Sequence, residues 1–136
     1  MALILEKQGK SQEAEKQMFR GYIILSLSMG IASRDCQTFF DELIDLLSRR
    51  KDLKQAETYS AKNYENLKAF DKGRNSIELG DCSSRYAVII AQQGKFEQAL
   101  PLFEQTLSIR EKALGKNHLG TAHALMQLAN VYEKLG

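Results

Sequence analysis

Three similar segments recur along the chain at a nearly constant interval, and this spacing constrains the fold more than any other feature. Each segment combines a turn with a following Gln-Ala or Glu-Ala pair: EKQGKSQEA at 6–14, SRRKDLKQA at 48–56 and AQQGKFEQA at 91–99. The turn positions Gly9, Lys51, Gly94 and Gly136 are separated by 42, 43 and 42 residues. Self-similarity at a fixed period indicates a stack of similar structural units.

Each unit is predicted to consist of two helices. Apolar residues before and after the turns follow the spacing of amphipathic helices, with glycine ending the first helix and Thr121 as the N-cap of the last. No segment alternates with the period of a strand. The predicted helices, about seven in number, are 1–8, 11–28, 33–49, 53–71, 77–93, 96–113 and 121–135. Pro101 lies early in the sixth, where its cost is small enough for the helix to continue.

Two motifs make a family resemblance specific. The pattern Leu125-x-x-Leu128-Ala129-x-x-Tyr132, followed by Gly136, resembles the first helix of a tetratricopeptide repeat. The segment 94–103, with Gly94, Phe96, Ala99 and Phe103, resembles its turn and second helix. The resemblance implies an all-α fold, an alpha-alpha superhelix built as a right-handed solenoid of antiparallel helix pairs. The period of about 42 residues is similar to that of the longer-helix subtype found in kinesin light chains.

The repeat phase predicts one helical domain over 1–136. It divides into a partial unit at 1–29, full units at 30–72 and 73–115, and a first helix at 116–136. Because both ends fall at nearly the same phase, the chain is interpreted as a fragment of a longer array.

Composition excludes several other classes of protein. The net charge of +2 comes from 19 basic and 17 acidic residues, a balance that gives no general attraction to nucleic acid. No apolar stretch has the length of a membrane span. The cysteines, Cys36 and Cys82, fit reduced thiols in the cytoplasm. We find no spacing typical of a metal site, no phosphate-binding loop and no catalytic constellation, so neither an enzyme nor a cofactor is predicted.

Stacked helix pairs present a concave surface, and the resemblance implies which side chains line it. They are Asp41, Asp45, Arg49, Arg85, Val88, Gln92, His123, Gln127 and Asn130. Asn130 matches an asparagine that many members of the family direct at the backbone of a bound peptide. The sequence therefore predicts a scaffold that binds a peptide or protein segment, with Asp41 and Asp45 favouring a basic or mixed-polar one.

Two alternatives of other classes remain open. The first is a self-assembling structural array, with Leu128, Tyr132 and Leu135 at one end and Met18 and Tyr22 at the other meeting head to tail or by helix exchange. The second is a regulatory or sensor segment of a larger protein. The sequence does not choose between them.

Overall fold

Six α-helices and no strands make up the part of the chain described by the structure, a computed structural model. It describes residues 2–136, with the side chains of 2–8 and Ser11 left out. In chain order the helices are α1 Ala2–Ser28, α2 Arg34–Arg49, α3 Leu53–Asp71, α4 Ile77–Gln92, α5 Phe96–Leu114 and α6 Leu119–Leu135. The chain divides into two compact units, Met1–Ala56 and Glu57–Gly136.

The first unit is built around the antiparallel pair α1 and α2. The ring of Tyr22 lies between those of Phe19 and Phe40, at centroid distances of 6.1 and 5.3 Å. Arg50 Nη1 is 2.8 Å from Glu15 Oε2, and this ion pair fixes the end of α2 against α1. Aromatic packing and one partly buried ion pair therefore hold the two helices together.

The second unit packs the rest of α3 with α4, α5 and α6. Its core contains one cluster from the last three helices: Ala87, Ile90, Ala99, Phe103, Leu128 and Val131. Helices α4 and α5 approach closely, since a Cβ added at Gly80 would lie 2.8 Å from Ile109 Cγ2. Beside that contact the hydroxyls of Ser83 and Thr106 are 2.8 Å apart and hydrogen bonded.

Two of the predicted turns share one backbone geometry. Lys51 and Gly94 both adopt positive φ, at 58° and 82°. After them, Asp52 N donates to Leu47 O at 2.9 Å and Lys95 N donates to Ile90 O at 3.3 Å. These bonds satisfy carbonyls left over at the helix end and form a Schellman motif. Lys51 takes the left-handed conformation that usually requires glycine, so a lysine closes the same turn.

The loops that separate one helical repeat from the next also share a backbone geometry. Gly30, Gly73 and Gly115 have φ of 94°, 78° and 90°, and they lie 43 and 42 positions apart. Ser33 and Ser76 follow as N-caps, accepting hydrogen bonds from Cys36 N and Leu79 N.

The prediction of separate helices at 1–8 and 11–28 is wrong for the residues that the structure describes, which run continuously in α1 from Ala2 to Ser28; Met1 lies outside them. Gly9 is helical and does not form a turn. A single glycine costs a helix only ~1 kcal/mol, and the Glu, Gln and Lys residues around it favour helix strongly enough to bridge it.

The predicted N-cap of the last helix is also wrong. Helix α6 begins at Leu119, and His118 Nδ1 accepts the capping bond from Gly120 N at 2.9 Å. Thr121 is buried instead, and its hydroxyl donates to Gly115 O at 2.7 Å. The cap lies earlier because the histidine Nδ1 stands two bonds from Cβ, as the Oδ1 of a capping asparagine does, and can accept a backbone hydrogen bond in the first turn.

Candidate functional site

An open groove lies between α4 and α6 in the second unit. Its volume is about 570 Å³, within the range of small-ligand sites. One group of lining residues is apolar and comes from all three helices of the core: Val88, Ala91, Phe96, Phe103 and Val131. The other group is polar and comes from α4 and α6: Gln92, Gln127, Asn130, Glu133 and Lys134. The groove therefore has an apolar floor and polar walls.

Helix periodicity explains why these side chains meet. Val88 and Gln92 are four residues apart on α4, and Gln127 and Asn130 are three apart on α6, so each pair shares one helix face. Ser84 Oγ donates to Gln127 Oε1 at 3.3 Å, which holds the glutamine across the gap between the helices. Asn130 is exposed beside it. A primary amide can donate and accept together, as an extended backbone requires of its partner.

The first unit has a second groove of about 580 Å³, lined by Met18, Glu42, Asp45, Ser48 and Arg49. Asp45 and Arg49 are exposed and lie four residues apart on α2. Two carboxylates against one guanidinium leave this groove acidic. It suits a cationic or mixed-polar ligand group, with an attraction that salt would screen.

The structure places part of the predicted concave-face set in these grooves. Val88, Gln92, Gln127 and Asn130 come together in the second unit, and Asp45 and Arg49 come together in the first. Asp41 and Arg85 are half-buried and His123 is exposed, and none of the three lines either groove.

The floor of the α4–α6 groove was not predicted from the sequence. The motif at 94–103 assigned Phe96 and Phe103 only to the second helix of a repeat, and Val131 belonged only to the apolar helical spacing of the last predicted helix. A signal was available: Phe96 and Phe103 are seven residues apart and so share a face. No local sequence pattern shows that this face also borders the groove between α4 and α6.

The predicted self-association residues divide by burial. Leu128 and Tyr22 are each only 6% exposed and belong to the interior of their units, so neither forms part of an open surface. Their interior packing is already complete within one chain. Tyr132 and Leu135 are 53% and 41% exposed, and Met18 lines the groove of the first unit.

Two features of the described residues concern metal binding and thiol reactivity. Among them no group of three His, Cys, Asp or Glu residues is placed to hold a metal ion. Burial raises the pKa of the Cys36 thiol, which disfavours the thiolate that a nucleophile needs. No helix among the described residues is long and apolar enough to cross a membrane.

Comparisons with known proteins identify the repeat. Residues 81–136 match the family model described as tetratricopeptide repeat. None of the curated proteins matches the chain. Among solved structures, BtubC (BKLC) from P. vanneervenii is similar with a TM-score of 0.73 and 18% identity, over 99% of this chain and 54% of its own. The chain thus spans about half the length of this neighbour, and at such identity the match shows the fold alone.

These findings confirm two predictions. Residues 81–136 match the tetratricopeptide repeat, and the all-α fold is of the alpha-alpha superhelix class. Repeats of this family form noncatalytic scaffolds that commonly bind proteins or peptides. The assignment to the subtype with a period of about 42 residues stays a prediction.

Proposed function

Because residues 81–136 are a tetratricopeptide repeat segment, we propose that this chain is a noncatalytic interaction module whose α4–α6 groove binds an extended segment of a partner protein. The observation that carries the proposal is the juxtaposition of an apolar floor with the amides of Gln92, Gln127 and Asn130. The floor takes one apolar side chain, and the amides pair with the backbone on either side of it.

The chemistry of the groove sets its strength. One buried apolar side chain contributes ~1.5–3 kcal/mol, and three amide hydrogen bonds contribute ~0.5–1.5 kcal/mol each. Their sum, ~3–7.5 kcal/mol before any ordering cost, falls below the ~8 kcal/mol of a micromolar complex. A segment held in this groove alone therefore binds with a Kd of micromolar or weaker.

We propose the acidic groove of the first unit as a separate contact surface with its own preference for ligand charge. Asp45 and Glu42 favour a segment with a lysine or arginine, and the resulting pair weakens as salt is added. The same carboxylates repel an incoming acidic C-terminal tail of the kind that some tetratricopeptide proteins take from chaperones. Titration with such a peptide is expected to give no saturable signal, and micromolar binding would contradict this part of the proposal.

Selection from a displayed peptide library tests the proposal for any partner sequence. The expected result is a family of peptides sharing one large apolar residue. Their binding weakens by ~1–3 kcal/mol in Asn130→Ala, which removes up to two hydrogen bonds. Asn117→Ala is the matched control, because Asn117 is an exposed asparagine in the loop before α6. Peptides that bind both variants as tightly as the parent chain would show that the groove is not the site.

The remaining alternatives concern context. A cytoplasmic location stays a proposal that rests on cysteine usage, with Cys36 and Cys82 both buried and free. A regulatory role within a larger protein is decided by the length of the native product. Self-assembly is supported by a separate observation, the exposed apolar side chains of Leu125 and Tyr132 on α6.

A further inference from the structure

Helices α4 and α6 follow the same pattern, displaced by 42 positions. Four positions on one face are paired and largely enclosed in both helices: Leu79 with Thr121, Cys82 with Ala124, Tyr86 with Leu128 and Ile89 with Val131. Each helix therefore packs one face in the same way. The two helices differ on the neighbouring face.

On α4 that neighbouring face is covered by α5. Its residues Gly80, Ser83, Ala87 and Ile90 are all buried. The covering contacts are the approach of Ile109 to Gly80 and the Ser83–Thr106 hydrogen bond. Ala87 and Ile90 share a core cluster with Ala99 and Phe103 of α5.

On α6 the same face is open. Its members, 42 positions on, are Ala122, Leu125, Ala129 and Tyr132, and all four are exposed. Leu125 and Tyr132 are 49% and 53% exposed, although both are large apolar side chains. Helix α6 thus presents an apolar stripe shaped for a helix that packs as α5 does on α4.

Helix α1 carries such a face. Residues 11–28 align without a gap with 96–113 of α5 at a displacement of 85 positions, which pairs Gly30 with Gly115 in the following loops. In this register Ile24 takes the place of Ile109, Gly21 that of Thr106 and Ala14 that of Ala99. Ile24 is 60% exposed and its neighbour Ile23 is also exposed. One chain therefore holds both halves of an α4–α5 contact.

We propose that a second copy of this chain covers α6, with α1 of that copy packing on the open stripe as α5 packs on α4. Where α4 and α5 oppose Ser83 and Thr106, the proposed contact opposes Leu125 with Gly21. The ring of Phe39 occupies the place of a Gly21 side chain and is 37% exposed, so Leu125 packs on an aromatic surface. The Cβ of Ala122, which Gly80 lacks, requires the α1 helix to lie a few tenths of an ångström farther out than α5 does on α4, because a Cβ at Gly80 would lie 3.2 Å from Ile109 Cβ.

The symmetry of the contact follows from its parts. Different surfaces meet, so the interface is heterologous and leaves one α6 stripe and one α1 face unused in every dimer. Association therefore continues into longer chains as concentration rises, and it does not stop at a symmetric pair.

Two single variants test this pairing. Ala122→Glu places a charge in the stripe of α6, and Ile24→Glu places one in the face of α1. Both residues are exposed, so neither change disturbs the fold, which circular dichroism checks. Ala113→Glu on α5 is the matched control, since Ala113 is an exposed alanine outside both faces. Sedimentation velocity is run on the 136-residue chain across a range of concentrations.

The proposal predicts different masses for each sample. The parent chain and Ala113→Glu grow beyond the 15.4 kDa monomer with concentration, and each of the two test variants stays at that mass alone. Mixing the two test variants gives dimers that grow no further, because one intact α1 face meets one intact α6 stripe. A parent chain that stays monomeric at the highest concentration overturns the proposal, as another occupant must then cover the stripe. Mixed variants that fail to pair, or single variants that still associate, also overturn it.

Discussion

Ala87 and Ala129 occupy the same repeat position, and we predict that substitution by leucine changes the free energy of unfolding much more at Ala87 than at Ala129. Ala87 is fully buried between α4 and α5, whereas Ala129 is exposed on α6. Replacing Ala87 by leucine forces three additional carbon atoms into a packed interior, at a cost of ~1–3 kcal/mol. Replacing Ala129 by leucine changes the free energy of unfolding by no more than ~0.5 kcal/mol, since both residues favour helix and the site is open.

Urea denaturation followed by far-UV circular dichroism measures the difference. With an m-value of ~1–3 kcal/mol/M, Ala87→Leu lowers the midpoint by an amount on the order of 1 M, and Ala129→Leu leaves it nearly unchanged. The measurement is made at a concentration at which the chain is monomeric, so that association does not mask the effect. Equal losses in the two variants would refute the open face of α6, and a tolerated Ala87→Leu would refute the close α4–α5 contact.

Four further substitutions test the local account. Asp71 accepts backbone hydrogen bonds from Asn75 and Ser76 at 2.6 and 3.0 Å; burial acts to raise its pKa, but these bonds and the Arg74 charge outweigh it and lower the pKa. The stability that the ionised Asp71 contributes is present above the unfolded pKa of ~3.9 and is lost as pH falls through the lower folded pKa. Asp71→Asn therefore destabilises the chain by ~1–3 kcal/mol at neutral pH. In unfolding curves measured at acid pH, the stability of the variant converges with that of the parent chain. Lys51→Gly replaces a lysine in the left-handed conformation and raises the free energy of unfolding by up to ~1 kcal/mol, whereas Gly94→Ala lowers it by ~1 kcal/mol. Melting temperatures that do not shift in opposite directions in the two variants would contradict the shared turn geometry. Leu119 is the first residue of α6 and is 83% exposed, and proline is favoured at the first position of a helix. Leu119→Pro is therefore expected to leave the melting temperature unchanged or to raise it. A loss of more than ~1 kcal/mol in the free energy of unfolding would contradict the observed start of α6.

Local signals carried most of the fold prediction. The bounds of α2 to α6 were predicted to within two residues because capping residues and left-handed turns act over a few positions. Lys51 was assigned to a turn from repeat phase alone, and its positive φ confirms the assignment. The prediction of a turn at Gly9 was wrong because glycine ends a helix only where the following chain turns away. Whether it turns away depends on packing, which no local sequence pattern shows.

The candidate site was predictable in part for a related reason. The family resemblance implied that Val88, Gln92, Gln127 and Asn130 share one surface, and all four line the groove. Phe103 and Val131 were predicted only as apolar residues of their helices, because helical spacing alone cannot distinguish a buried face from one that borders a groove. The difference between Ala87 and Ala129 is also invisible in the sequence, since burial there depends on whether a covering helix is present.

Mapping a selected peptide by NMR is the most direct test of the proposed binding function. Amide resonances of a labelled chain are followed during titration with the peptide. The account predicts that the largest changes cluster at Val88, Gln127 and Asn130 along the α4–α6 groove, while Ser108 and Ala113 on the exposed side of α5 stay unchanged. Changes centred on the exposed side of α5, with those three groove residues unaffected, would contradict it.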